Sequence, residues 1–151
     1  MARLVAAGVV LRDQTNRRWP DRDKASDGWI ADRAHMAPGR ISDHRPDDRG
    51  WVHALDIDAD LLGKAKRARS RKVAQELADQ LIEYARSGEV GSDRLKYVVF
   101  DNHIASGTYA KQFWTWRAGS WGHENHIHVS FTDLKPITGR RRFPLPIFQQ
   151  K

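Results

Sequence analysis

Cysteine is absent from the 151 residues. Its absence excludes disulfides, thiolate zinc fingers and a cysteine nucleophile, so any metal must be held by histidine and carboxylate. It also leaves the redox compartment open. Long apolar runs are missing too. The N-terminal run Leu4-Val5-Ala6-Ala7-Gly8-Val9-Val10-Leu11 is far too short to span a bilayer, so no membrane span is expected. With only Arg3 before it and no small-residue cleavage site after it, it does not read as a secretory signal but as a buried strand. Negative charge is also short: 19 Asp+Glu stand against 26 Lys+Arg, a net charge of +7. Such a surface attracts polyanions, whether nucleic acid, anionic cell-wall polymer or acidic lipid, without choosing among them.

What is present suits one globular domain over 1–151, with neither an internal repeat nor a linker. A chain of this length can bury roughly 68–70% of its unfolded surface around one core. At 40% hydrophobic and 30% charged, it lies outside the range of disordered chains. Residues 12–50, dense in Asp, Arg, Gly and Pro, predict a long loop region with at most one short helix. Trp51 to Asp58 predicts a central strand, and Leu95 to Phe100 a second strand beside it. Between them, Val73, Leu77, Leu81 and Tyr84 share one helical face, which predicts a helix over 70–86 with Ser70 as N-cap and Gly88 as its stop. The stretch from Thr108 to Trp121 holds Tyr109, Phe113, Trp114, Trp116 and Trp121, more aromatic surface than the core needs, so part of it is expected to line a cleft. The tail over 138–151, with Arg140-Arg141-Arg142 and two prolines after Pro136, reads as an irregular basic surface segment.

The seven histidines carry the chemistry. His126-Ile127-His128-Val129-Ser130-Phe131 alternates strictly, so as a strand it aims His126, His128 and Ser130 one way and the apolar residues into the core. The same parity separates Asp56 from His53. Asp56 with one of His126 or His128, completed by His44 from Ser42-Asp43-His44, would make a site of three protein ligands with one open position. Zinc bound in this way lowers the pKa of its water to about 7 and polarises a carbonyl, which suits amide hydrolysis. The remaining strand histidine would serve as the base, a role worth roughly 10²–10⁴-fold. Asp58 shares the face of Asp56 and is the alternative carboxylate, although with Asp60 it reads as a solvated strand end. His35, His53 and His103 read as loop or face histidines.

These residues resemble the superfamily of lysostaphin-type, D-alanyl-D-alanine and hedgehog-type zinc proteins. The closing His123, His126 and His128 resemble the penicillin-insensitive murein endopeptidases. The ordered set Ser26-Asp27-Gly28, Ser42-Asp43-His44-Arg45-Pro46 and His53-Ala54-Leu55-Asp56 is similar to peptidase domains of actinobacterial, especially mycobacterial, phage endolysins, and the match covers about 26–131. The resemblance implies an α+β fold, a small central antiparallel sheet flanked by helices, with the zinc site on the sheet face among long loops. It implies His44, Asp56 and His128 as zinc ligands, His126 as catalytic base and His123 as its assistant in polarising water or stabilising the oxyanion. Glu124, which another branch of the superfamily would favour as base, points away by strand parity and ranks below His126.

The expected activity is therefore hydrolysis of amide bonds in peptidoglycan stem peptides or crosslinks, by a monomer whose positive surface holds anionic wall polymers. With no signal segment in view, the expectation is a phage-type enzyme made in the host cytoplasm and released to the wall by lysis, or carried by a virion. The competing class is a metal-dependent nuclease of the His-Asn-His type or a basic nucleic-acid binder. Nucleic acid is not the expected partner, because those nucleases place their histidines on a strand–helix unit and here the pattern has period two. A third class, an inert zinc fold used only for binding, would need the base to be missing.

Overall fold

The computed structural model describes residues 1–30, 42–108, 110–133 and 140–149. His35, Tyr109 and the segment 134–139 lie outside them. In chain order the elements are β1 (Arg3–Leu4), α1 (Ala6–Arg18), β2 (Trp51–Val52), β3 (Ala54–Asp58), α2 (Arg67–Ser87), β4 (Leu95–Phe100), β5 (His103–Ser106), β6 (Arg117–Ala118), β7 (His126–Phe131) and α3 (Pro146–Gln149). The fold is α+β, built on a five-stranded antiparallel sheet of order β3-β7-β4-β5-β6, beside a parallel pairing of β1 with β2. No helix among the described residues is long and apolar enough to cross a membrane.

Strand parity divides the sheet. Leu55, Ile57, Val98, Ile127, Val129 and Phe131 are buried in one cluster with Leu11 of α1, Leu77 and Leu81 of α2, and Ile147 of α3. Each of these side chains contributes roughly 1.5–3 kcal/mol by leaving water. The opposite face carries Asp56, His126, His128, Ser130 and Tyr97, as the β3–β7 and β4–β7 registers require. Helices thus cover one face, and loops with the polar residues occupy the other.

The N-terminal apolar run is a helix rather than the expected strand. Ala7, Gly8, Leu11 and Thr15 form its buried stripe, so the helical period shows only once the charged continuation to Arg18 is counted with the run. A Cβ at Gly8 would meet Leu4 Cδ1 at 2.7 Å, so a larger residue there needs the Leu4 side chain to shift. The predicted helix over 70–86 begins earlier, at Arg67. Ser70 lies inside it and its hydroxyl accepts from the Leu62 amide at 2.9 Å instead of capping. Gly88 ends the helix in the left-handed region, φ 74°.

The strand predicted as central is the sheet edge. It breaks at His53 into β2 and β3, and β7, from the far end of the sequence, inserts between β3 and β4. The tail is not merely a solvated segment. Arg140, Arg141 and Arg142 are exposed, but Phe143, Leu145 and Ile147 are buried. The Phe143 amide donates to Gln14 Oε1 at 2.8 Å, while Gln14 Nε2 donates back to the Phe143 carbonyl at 3.1 Å. The Arg94 guanidinium lies 4.1 Å over its ring. Phe143→Ala should therefore destabilise the fold by about 3–5 kcal/mol, seen as a lower urea midpoint, whereas a dispensable tail would leave the midpoint unmoved.

Candidate metal centre

Antiparallel register sets Asp56 directly opposite His128. As an edge strand β3 needs a neighbour to hold Asp56 in place, and Gly28 provides it: Gly28 N donates to Asp56 O at 3.2 Å and Asp56 N to Gly28 O at 2.6 Å. Asp27 accepts the Asp58 amide at 2.7 Å and pairs with Arg22. The Ser26-Asp27-Gly28 motif is thus a clamp along the outer edge of β3.

His44 arrives on a turn in which Ser42 Oγ accepts the His44 amide at 3.2 Å and Ser42 O accepts the Arg45 amide at 3.0 Å. The turn is tied to the sheet where Asp43 O accepts the His53 amide. His44 Nδ1 donates to the Trp29 carbonyl at 2.8 Å, which leaves the Nε2 lone pair facing inward. There Nε2 stands 3.2 Å from Asp56 Oδ2 and 3.2 Å from His128 Nδ1, and His128 Nδ1 stands 3.1 Å from Asp56 Oδ1. Donors at 2.0–2.1 Å from a tetrahedral ion are about 3.3–3.4 Å apart. The two nitrogens are already near that spacing, each with a different Asp56 oxygen beside it, and His44, Asp56 and His128 form a group that could hold a metal ion.

Behind His128, Nε2 lies 2.7 Å from Ser130 Oγ. Lys96 Nζ pairs with both Asp43 oxygens at 3.1 Å. Asp56 is a carboxylate and can only accept, so without a metal His128 Nδ1–H donates to Asp56 Oδ1 at 3.1 Å and Nε2 accepts from Ser130. A metal on Nδ1 would reverse this: Nε2–H would donate to Ser130, and the Nδ1 lone pair would face the ion. The Tyr97 ring also stacks on His128, 5.2 Å between centroids.

Electrostatics agree with this arrangement. Burial alone would raise the Asp56 pKa, but the hydrogen bonds and charges of His128 and His44 outweigh it and hold the carboxyl well below its usual range. Burial lowers the pKa of His126 and His128 against the pull of Asp56, so both rings are neutral near pH 7. His44 is raised, since the Asp56 hydrogen bond and charge together with the Trp29 carbonyl overcome its burial. Burial pushes Tyr97 to about 12, so it remains a donor.

The other predicted residues separate clearly. His126 Nε2 lies 3.6 Å from Asp56 Oδ2. The His123 ring is 4.9 Å from that of His126 and 5.2 Å from that of His128. Asp58 is not a solvated strand end: it is buried, and its two oxygens accept the Ser26 and Asp60 amides at 2.8 Å each. It groups with Asp23 and Asp60, also apart from the histidines. Glu124 is exposed and accepts from Asn102. His53 binds Asp47 and the Thr132 carbonyl, and His103 binds the Asp101 carbonyl. Of the aromatic stretch, Trp114 is core, while Trp121 is exposed and its carbonyl accepts from His123 Nδ1 at 2.7 Å. Sequence reasoning passed over Tyr97, Asp43 and Lys96. Ser130, two residues beyond His128 on its face, was the signal that a polar neighbour should be sought on the next strand.

Compared with family models, curated proteins and solved structures, the chain matches none. The site therefore has to be judged on its geometry. His44→Ala or His128→Ala should abolish tight binding of a divalent cation. Ser130→Ala, which removes the acceptor for the Nε2–H that a metal-bound His128 carries, should weaken it by about 10–100-fold. Competition against a chromophoric chelator measures both, and unchanged affinity in Ser130→Ala would refute the supporting role of Ser130.

Proposed function

We propose that the chain is a zinc-dependent peptidase that hydrolyses amide bonds in peptidoglycan stem peptides or crosslinks, in the manner of a phage endolysin. One observation carries this reading. His44 Nε2 and His128 Nδ1 stand 3.2 Å apart, each within 3.1–3.2 Å of one Asp56 oxygen, and two further imidazoles flank this group. Two imidazoles and one carboxylate suit zinc, and three protein ligands leave a corner for substrate or water. Zinc held by His44, Asp56 and His128 would supply Lewis acidity and an activated water.

The remaining work falls to the chain's own groups. His126, kept neutral by burial, can take a proton at a ring nitrogen and return it to the leaving amine. His123 donates from Nδ1 to the Trp121 carbonyl, so its Nε2 faces outward from that anchor as an acceptor when neutral and a donor when protonated, able to steady an oxyanion. Asp56 is held ionised and compensates positive charge that develops on these rings. The substrate class rests on the ordered resemblance of the Ser26-Asp27-Gly28, Ser42-Asp43-His44 and His53-Ala54-Leu55-Asp56 segments, and on a charge of +7 that concentrates the protein on anionic wall polymer. The nuclease reading has less support, because His126 and His128 belong to a strand paired along both edges inside the sheet.

Digestion of actinobacterial peptidoglycan should release peptide fragments or new amino groups, and mass analysis of the products identifies the bond. Chelation should end the activity. His126→Ala should keep the tightly bound zinc while kcat falls by about 10²–10⁴-fold. Binding to walls should weaken as salt shortens the Debye length below about 10 Å. Full activity in His126→Ala would remove the base assignment, and plasmid nicking without peptide release would replace the peptidase with the nuclease.

A further inference from the structure

Asp56 belongs to two separate groups of potential metal donors. Beside His44, Asp56 and His128 there is a second set, Asp56 with His123 and His126, whose ligand atoms lie within 4.8 Å of one another. The geometry points to a second divalent-cation site, made by His123 and His126 and joined to the first through the Asp56 carboxylate, whose filling silences the enzyme. The cation site follows from the side chains alone, while the silencing rests on the proposed role of His126 as base.

Three observations support the site. His123 is prepared as a ligand in the same way as His44. Each donates Nδ1–H to a main-chain carbonyl, Trp29 at 2.8 Å for His44 and Trp121 at 2.7 Å for His123, so each presents Nε2 inward. Orientation of an imidazole by its other nitrogen is the usual support of a metal ligand. Second, the backbone at His123 is held in an uncommon conformation. Gly122 and His123 have φ of 67° and 59°, and the β4–β5 turn grips them: Asp101 N donates to His123 O, Asn102 N to Gly122 O, and Gly122 N to Asn102 Oδ1, at 2.8–2.9 Å. A non-glycine residue fixed in the left-handed region marks a position where the fold over-determines the side chain. Third, His126 Nε2 is 3.6 Å from Asp56 Oδ2, close to the edge of a tetrahedral donor set at about 3.3–3.4 Å. Modest rotation of two partly exposed rings would close the remaining gap.

The two sites are unequal. A carboxylate can bridge cations about 3.5–4 Å apart, but their mutual repulsion falls on whichever binds second. His44 Nε2 and His128 Nδ1 are 3.2 Å apart with an Asp56 oxygen within 3.1–3.2 Å of each, closer than the 3.6 Å of His126, so this group fills first. Filling the second site occupies the ring nitrogens that would accept the proton and orient the oxyanion. One bound ion gives an active centre and two give an inactive one, so the site acts as a brake in zinc-rich surroundings.

Equilibrium dialysis of metal-stripped protein against graded zinc tests the inference. Two equivalents should bind, one tightly and one more weakly. Release of amino groups from peptidoglycan should fall by about 10²–10⁴-fold as the weaker equivalent is taken up. His123→Asn, which tolerates the left-handed backbone but is a poor ligand, should lose the weak equivalent and keep the tight one. Asp56→Asn should lose both. Saturation of the native protein at one equivalent up to millimolar zinc would overturn the inference, as would a second equivalent that persists in His123→Asn. Two equivalents bound by a protein that cleaves no wall peptide would uphold the site and remove only the peptidase reading. Cleavage by a protein that never takes a second equivalent would do the reverse.

Discussion

The register between β3 and β7 is the constraint on which the site depends. Asp56 faces His128 because Leu55 pairs with Val129 and Ile57 with Ile127, and those four apolar side chains are buried beneath the helices. A slip of β3 by one residue would turn Leu55 and Ile57 to the loop side and send Asp56 into the core. At roughly 1.5–3 kcal/mol for each apolar side chain exposed, such a slip exceeds any preference the polar residues could express. The polar geometry is therefore a by-product of hydrophobic burial on the other face. This also accounts for Gly28. An edge strand is secured on one side only, and the backbone pairing of Gly28 with Asp56 supplies the missing side where the site needs it.

A second ordering principle is the direction of hydrogen bonds. Imidazole has two tautomers of similar energy, and an array of histidines without external reference would scatter its protons. Here the references are groups that only accept. Main-chain carbonyls of Trp29 and Trp121 orient His44 and His123, and the Asp56 carboxylate orients His128 through Nδ1. His44 and His123 thereby turn Nε2 away from those carbonyls, and His128 turns Nδ1 to Asp56. Burial reinforces the effect for His126 and His128 by disfavouring their charged forms.

Legibility in the sequence followed the reach of each signal. β7 and α2 were readable because their periods are complete within the segment: strict alternation over His126–Phe131, and Leu77 and Leu81 with Ala74, Ala78 and Ala85 on one buried face. α1 was misread because its first turns are apolar all round, so a window ending at Leu11 shows no polar face. The burial of Phe143, Leu145 and Ile147 was masked by intervening prolines, although their alternation is a period-two pattern. Strand order was beyond the sequence, since nothing local says that β7 inserts beside β3. Convergence of His44 and Asp56 with one of His126 or His128 was legible as a set of residue types on shared faces, and only the resemblance singled out His128. The stacking of Tyr97 on His128 was not legible, because it depends on which strand lies next to β7. Asp58 was misjudged for a related reason: its role as acceptor for the Ser26 and Asp60 amides exists only after the 22–28 segment folds over it.

The absence of thiols ties these features together. A cysteine-rich site gains affinity from soft, anionic sulfur and can tolerate loose surroundings. A site of two neutral imidazoles and one carboxylate has a single formal negative charge with which to attract a dication, so more of its affinity must come from donors held at the right spacing before the ion arrives. That requirement fits the support behind this face: a carbonyl for His44, Ser130 and the stacked Tyr97 ring for His128, and a paired backbone for Asp56. It also accounts for the asymmetry between the two donor groups. His44, Asp56 and His128 are buried or nearly so and tightly spaced, whereas His123 and His126 remain partly exposed and more widely set. On the proposed reading, rings that move a proton or admit a substrate need that freedom, and the same freedom would make them the weaker ligands.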